Sequence, residues 1–467
     1  MKFIQTVLLT LLAFTTFAQP ATYQGAWEGA IDLGAAGSLD VIMDIKGTGK
    51  SMSCVMKVPQ QGEAEVPAEK IFVDNNQINI NYPNLRASYK GTLEGEKISG
   101  IWSQNGMTFP LNLEPFVANK IPERPQHPKA PFNYDISEIE VDIQNNKGSH
   151  KLSGTLTQPK GDGPFPLAIL VSGSGPQDRD ETIFHHKPFW VIADYMTNNR
   201  IAVFRYDERG VGKSTGSFAE STTQDFANDA LAIVEQMSKM SNIDKEKIGI
   251  IGHSEGALVA SMAAAKSASV KFAILLAGPS VPGHQLLKTQ ITDVSLAEGF
   301  APEEIQKEAQ IKSDIINIAA GKGTVSQRST RAKNKLKSFY DSNFSAEEKK
   351  QKGSFELYYQ SIAEPLMNDW MHFFLNVEPK VYIEKMACPT LALIGSKDMQ
   401  VSADHNISGF RAALHAAPTQ VYKVKEIEGV NHLFQHSRTG KPSEYGQLGE
   451  TFAHEVLVLM RDWMKSI

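Results

Sequence analysis

Gly252-His253-Ser254-Glu255-Gly256 stands between an apolar run, Lys247 to Ile251, and the helix-forming stretch Ala257 to Ala263. Strand, five-residue turn, helix is the order that lifts a serine hydroxyl to the tip of a sharp bend, where it can act as a nucleophile. The flanking glycines suit that bend because a side chain there would collide with the strand and helix being joined. The pattern alone is weak. With 35 glycines in the chain, chance supplies a G-x-S-x-G in roughly one such sequence in five.

A serine hydroxyl needs a base to take its proton, and the base needs a carboxylate to orient it. On a parallel sheet these groups sit in loops beyond the carboxyl ends of strands, in the chain order serine, acid, histidine. Asp398 is the first carboxylate after the apolar run Thr390 to Ile394, and His432 follows the last strand pattern, Val421 to Val424. His436 is the rival base, further along the same loop. The expected catalytic set is therefore Ser254, Asp398 and His432. An oxyanion would be held by backbone N–H groups: that of Glu255 at the start of the following helix, and that of Ser174 or Gly173 after the strand ending at Val171. Arg205 to Ser214 is glycine-bearing but lacks the spacing of a phosphate loop, so Asp207 and Arg209 read as structural ion-pair partners.

The surrounding pattern says what positions these residues. From about residue 137, buried apolar strands such as Leu167–Val171, Ile201–Phe204 and Phe272–Leu276 alternate with helices such as Phe189–Asn198 and Thr223–Met240. That alternation predicts an α/β fold, a mostly parallel sheet covered on both faces. Between 283 and 384 the rhythm stops, and helical spacing over about a hundred residues predicts a cap inserted over the strand tips. Trp370, Phe373 and Phe374, in its aromatic end, are candidates for an apolar wall of a substrate pocket, with packing inside the cap as the competing reading. The lysines from Lys333 to Lys352 read as a solvated helix face.

Residues 22–116 lack a helical period and alternate in short stretches between Gly and Asn turns, the pattern of a small all-β domain with Trp27 and Trp102 in its core. A proline-rich linker over 117–136 follows. Residues 1–18 have the layout of a cleaved secretory signal, with Met1-Lys2, an uncharged run from Thr6 to Phe17, and Ala18 before the break. Export to the periplasm or the exterior is the expectation. Cys54 and Cys388 fall in different domains, so two buried free thiols are expected rather than a disulfide.

The formal charge of −5 gives no electrostatic reason for a nucleic-acid partner, and no segment is long enough for a membrane span. No His, Cys and carboxylate cluster has metal-ligand spacing. The expected partner is a small-molecule ester, with no cofactor.

Five stretches, Val171 to Asp180, Arg205 to Ser214, Gly252 to Gly256, Gly395 to Val401 and Gly429 to His432, together resemble the α/β-hydrolase superfamily, within it the carboxylesterase or serine-aminopeptidase-like group. The resemblance covers about residues 137–467. It implies the open sheet, the cap, and ester hydrolysis through an acyl-enzyme. Ser172-Gly173-Ser174 stands where the usual His-Gly oxyanion motif would be, which leaves the second donor open. The β domain resembles accessory domains placed before such hydrolases in exported bacterial proteins. Peptide or amide cleavage, thioester cleavage, and a ligand-binding module on a hydrolase scaffold remain alternatives, since nothing in the triad encodes the leaving group.

Overall fold

The structure, a computed structural model, describes residues 23–32, 38–59, 65–85, 87–104, 107–116, 124–145, 148–297, 302–352 and 354–467. The expected leader, 1–18, lies outside them, as does the start of the linker. Residues 23–57 and 65–116 belong to one compact unit, and those from 124 onward to a second.

The first unit is all β. Its strands are β1 (Gly25–Asp32), β2 (Ser38–Lys46), β3 (Ser53–Lys57), β4 (Val66–Pro67), β5 (Lys70–Asp74), β6 (Gln77–Tyr82), β7 (Ala87–Glu94), β8 (Lys97–Gln104), β9 (Met107–Pro110) and β10 (Glu114–Pro115). They form two antiparallel sheets, ordered β10-β1-β2-β3-β4 and β5-β6-β7-β8-β9. Period-two alternation decides which side is buried. Along β6, Ile78, Ile80 and Tyr82 turn inward, and along β7 Ala87, Tyr89 and Leu93 do the same. Trp27 and Trp102 are buried in this unit, with Trp102 packed on Tyr82 at 5.6 Å between ring centroids.

The second unit opens with a long hairpin, β11 (Tyr134–Asn145) and β12 (Gly148–Pro159). It continues with β13 (Phe165–Val171), α1 (Pro188–Asn198), β14 (Ala202–Tyr206), α2 (Thr223–Met237), β15 (Ile243–His253), α3 (Glu255–Lys266) and β16 (Phe272–Leu276). Seven helices follow: α4 (Gly283–Ala297), α5 (Pro302–Ala320), α6 (Val325–Asn343), α7 (Ala346–Lys352), α8 (Phe355–Ile362), α9 (Asp369–Asn376) and α10 (Pro379–Ile383). Then come β17 (Thr390–Gly395), α11 (Ala403–Ala416), β18 (Tyr422–Ile427) and α12 (His454–Ser466). The sheet order is β11-β12-β14-β13-β15-β16-β17-β18, with β11 and β12 antiparallel and β14 onward parallel. This is the α/β-hydrolase fold.

Apolar side chains bury both faces of that sheet. Phe226, Ile233 and Met237 of α2 and Leu258 of α3 pack on one face, and Ile192 and Met196 of α1 with Leu457 and Met460 of α12 pack on the other. Each fully buried large side chain contributes about 1.5–3 kcal/mol, so the sheet is a rigid platform for the loops at its carboxyl edge. The helix α2 starts at a capping box, Thr222 with Asp225, and stops at Met237, three residues short of the expected Met240. The Ser238 N–H closes it on the Val234 carbonyl, and the Lys239 N–H takes the Gln236 carbonyl. Among the described residues, no helix is long and apolar enough to cross a membrane. Cys54 and Cys388 are both buried and free, and burial pushes each thiol up to about 11.

Candidate active site

Ser254 sits at the turn between β15 and α3 with φ +53° and ψ −118°, a positive-φ backbone conformation that side-chain-bearing residues rarely adopt. Strain of this kind persists only where the surroundings fix it. Here the Ser254 N–H donates to the Leu276 carbonyl of β16 at 2.8 Å, and two glycines allow close backbone approach. A Cβ on Gly252 would strike the Gly256 carbonyl, and one on Gly256 would strike Val171 at the end of β13. The elbow therefore presses against the β13 loop, and Gly173 lies against Ser254 itself.

Asp398 and His432 come from the tips of β17 and β18. Their Oδ2 and Nδ1 are 2.8 Å apart, and both residues are buried. The other carboxylate oxygen of Asp398 accepts the N–H groups of Gln400 and Val401, each at 2.8 Å. With Nδ1 committed to Asp398, Nε2 is the ring nitrogen outside that pair. Ser254 and His432 line one cavity of about 270 Å³, together with Gly173, Ser174, Glu181, Leu286, Trp370 and Phe374 among others. His436 is turned away, half-exposed between Glu450 and Glu455.

Two of the sequence expectations need correction. The Gly173 N–H donates to Glu181 Oε1 at 2.7 Å, so it is not free to hold an oxyanion, and of the two residues named only Ser174 remains a candidate. Phe373 does not line the cavity but packs against the hydrophobic core. Trp370, Phe374 and Met371 share an arc of about 100° on α9, and Phe373 falls outside it. Met371, absent from the sequence reading, takes its place. Asp207 and Arg209 are both ion-paired, though not with each other. Asp207 holds Arg179 at 2.8 Å, while Arg209 Nη2 donates to Asp229 at 2.7 Å.

Glu181 was not foreseen. Its Oε1 also meets His253 Nδ1 at 2.9 Å, and His253 Nε2 donates to the His432 carbonyl at 2.9 Å. One buried pair thus ties the residue before Ser254 to the β13 loop and to the backbone of His432. The far end of that loop is held by Glu208, whose Oε2 accepts the Gln177 N–H at 2.9 Å. Burial keeps the Glu208 carboxyl well above its usual range, offset in part by that N–H, with the nearby Glu255 and Glu181 charges adding to the rise. For His253 burial acts downward, but the Glu181 charge and hydrogen bond and the His432 carbonyl outweigh it and hold its pKa above 6.5. A raised pKa means stability that is complete below the unfolded value and is lost as pH climbs through the folded one. The thermal midpoint difference between wild type and His253→Gln should therefore shrink as pH rises from 6 to 9, and a difference that grows would contradict the charged pair.

The family described as serine aminopeptidase, S33, matches residues 184–437, more than half of the chain. The chain belongs to this family. Over 140 residues, 30% of this chain, the S33 protein is 32% identical to esterase EstD of Thermotoga maritima. The chain spans about a third of that relative's length, 33%. Among solved structures, the S33 chain is similar to the Pyrococcus furiosus esterase Pf2001, at 15% identity and TM-score 0.41 over 71% of this chain and 93% of that one. It is also similar to Est1E of Butyrivibrio proteoclasticus, with ferulic acid bound, at 17% identity and TM-score 0.40 over 70% and 96%.

Proposed function

We propose that the protein hydrolyses carboxylic esters with Ser254 as nucleophile, His432 as base and Asp398 as its orienting carboxylate. The observation that carries this is the 2.8 Å Asp398–His432 pair opening onto the same cavity as a serine on a strained elbow. Ser254 Oγ attacks the ester carbonyl as its proton passes to His432 Nε2. The tetrahedral oxygen takes hydrogen bonds from the N–H groups of Glu255 and Ser174. Collapse breaks the bond to the alcohol, which leaves with the proton from His432. Water then repeats the sequence on the acyl-enzyme and releases the carboxylic acid.

The family description makes aminopeptide cleavage the second reading. An aminopeptidase must hold a substrate ammonium, which calls for an uncommitted carboxylate. Glu181 is the carboxylate among the cavity-lining residues, and it is already engaged by His253 and the Gly173 N–H. That engagement, with the similarity to an esterase over 140 residues, favours esters. Purified protein offered p-nitrophenyl esters, aminoacyl p-nitroanilides and acyl thioesters should turn over the oxygen esters at least tenfold faster than the others. Preference for the anilides would replace the ester reading with the peptidase one.

A further inference from the structure

The Glu255 backbone faces the nucleophile's work, but its side chain goes elsewhere. The residue is 3% exposed. Its Oε1 accepts the Thr223 hydroxyl of α2 at 2.6 Å and the Trp370 indole N–H of α9 at 2.8 Å. Trp370 lies nearly parallel to Phe374, with centroids 5.9 Å apart and planes 19° from each other, and both line the cavity that holds Ser254. The cap wall of that cavity is thus tied by a hydrogen bond to the residue that follows the nucleophile.

We propose that Glu255 and Trp370 form a clasp that fixes the depth of the acyl pocket and so selects short acyl chains. This rests on the ester reading above. A wall held by packing alone yields by a rotamer change when a longer chain enters. A clasped indole cannot move without giving up its N–H hydrogen bond and leaving the buried Glu255 carboxyl with the Thr223 hydroxyl in place of two donors on Oε1. That penalty is what discriminates against the longer chain, by about tenfold. The Ser174 hydroxyl also acts on this carboxyl, and Oε1 is the oxygen that reaches the cap. Glu255 and Trp370 are positioning residues here, since neither side chain is required to touch the reacting atoms.

The test compares kcat/KM for p-nitrophenyl butyrate and octanoate. Trp370→Phe keeps an aromatic wall but removes the donor, and it should lower the butyrate-to-octanoate ratio about tenfold. Glu255→Gln keeps an oxygen acceptor for the indole and should hold the ratio within about twofold of wild type. Glu255→Leu, which removes the acceptor at similar volume, is the second route and should lower the ratio as Trp370→Phe does. A ratio unaltered in Trp370→Phe and Glu255→Leu overturns the clasp, as does an equal collapse in Glu255→Gln. Wild-type protein inert towards both esters sinks the ester reading, whereas turnover with an unaltered ratio sinks the clasp alone.

Discussion

Ser254→Ala is expected to reduce kcat for p-nitrophenyl butyrate on the order of a million-fold, with the thermal midpoint within a few degrees of wild type. The size of the loss follows from the way the three groups work as a unit. Without the hydroxyl, His432 has nothing to deprotonate, and only the amides facing the cavity remain to stabilise a transition state. The fold should survive because the features that shape the elbow belong to backbone and neighbours. The 2.8 Å bond from the Ser254 N–H to Leu276 is unaffected, and Gly252 and Gly256 still allow the close passage of strand and helix. Alanine occupies the same positive φ with no added bulk. A fluorophosphonate probe should label wild type and leave Ser254→Ala unlabelled. Hydrolysis persisting in the variant at more than a thousandth of the wild-type rate would remove Ser254 from the chemistry.

The parts of this site that were legible in the sequence are those carried by contiguous residues. The elbow needs a strand, a tight turn and a helix in direct succession, and Lys247 to Ala263 spells out all three. Asp398 and His432 were legible at one remove, because the doubly wound order fixes which strand tips come together even though 34 residues separate the pair. What could not be read are choices made by the folded surroundings. Glu181 meets His253 across 72 residues, and no local spacing marks either as a partner of the other. That contact also decides that Gly173 is occupied, which a Ser-Gly-Ser string leaves open. On α9, composition pointed to three aromatics, but helix phase admits Trp370 and Phe374 to the cavity and excludes Phe373. The crossing of β13 and β14 in the sheet is similarly invisible, since each strand reads as the same kind of buried apolar run. The hairpin strands β11 and β12 extend beyond their apolar cores, because antiparallel pairing continues through polar residues such as Asp142 and Lys151.

Asp398→Asn separates the role of the carboxylate in orientation from its role in the loop. In the wild type Oδ1 accepts from the Gln400 and Val401 amides, while Oδ2 holds His432 Nδ1. Asparagine can keep the first pair of hydrogen bonds with its carbonyl, so the loop after β17 should stay folded. Its NH₂ group then faces Nδ1 and is a donor only. His432 is forced to present an unprotonated Nδ1, which moves the proton to Nε2 and leaves no lone pair to receive the Ser254 hydroxyl. The negative charge that would stabilise an imidazolium is lost in the same step. The expected result is a fall in kcat of about ten-thousand-fold, with KM for the ester changed by less than about threefold, because the substituted residue, Asp398, is not among those that line the cavity. Fluorophosphonate labelling should slow in proportion, since it uses the same proton transfer. A mere structural loss would instead lower the thermal midpoint and soluble yield. Full esterase activity in a well-folded Asp398→Asn protein would mean that the 2.8 Å pair is an ordinary buried hydrogen bond, and that His432 is oriented by something else.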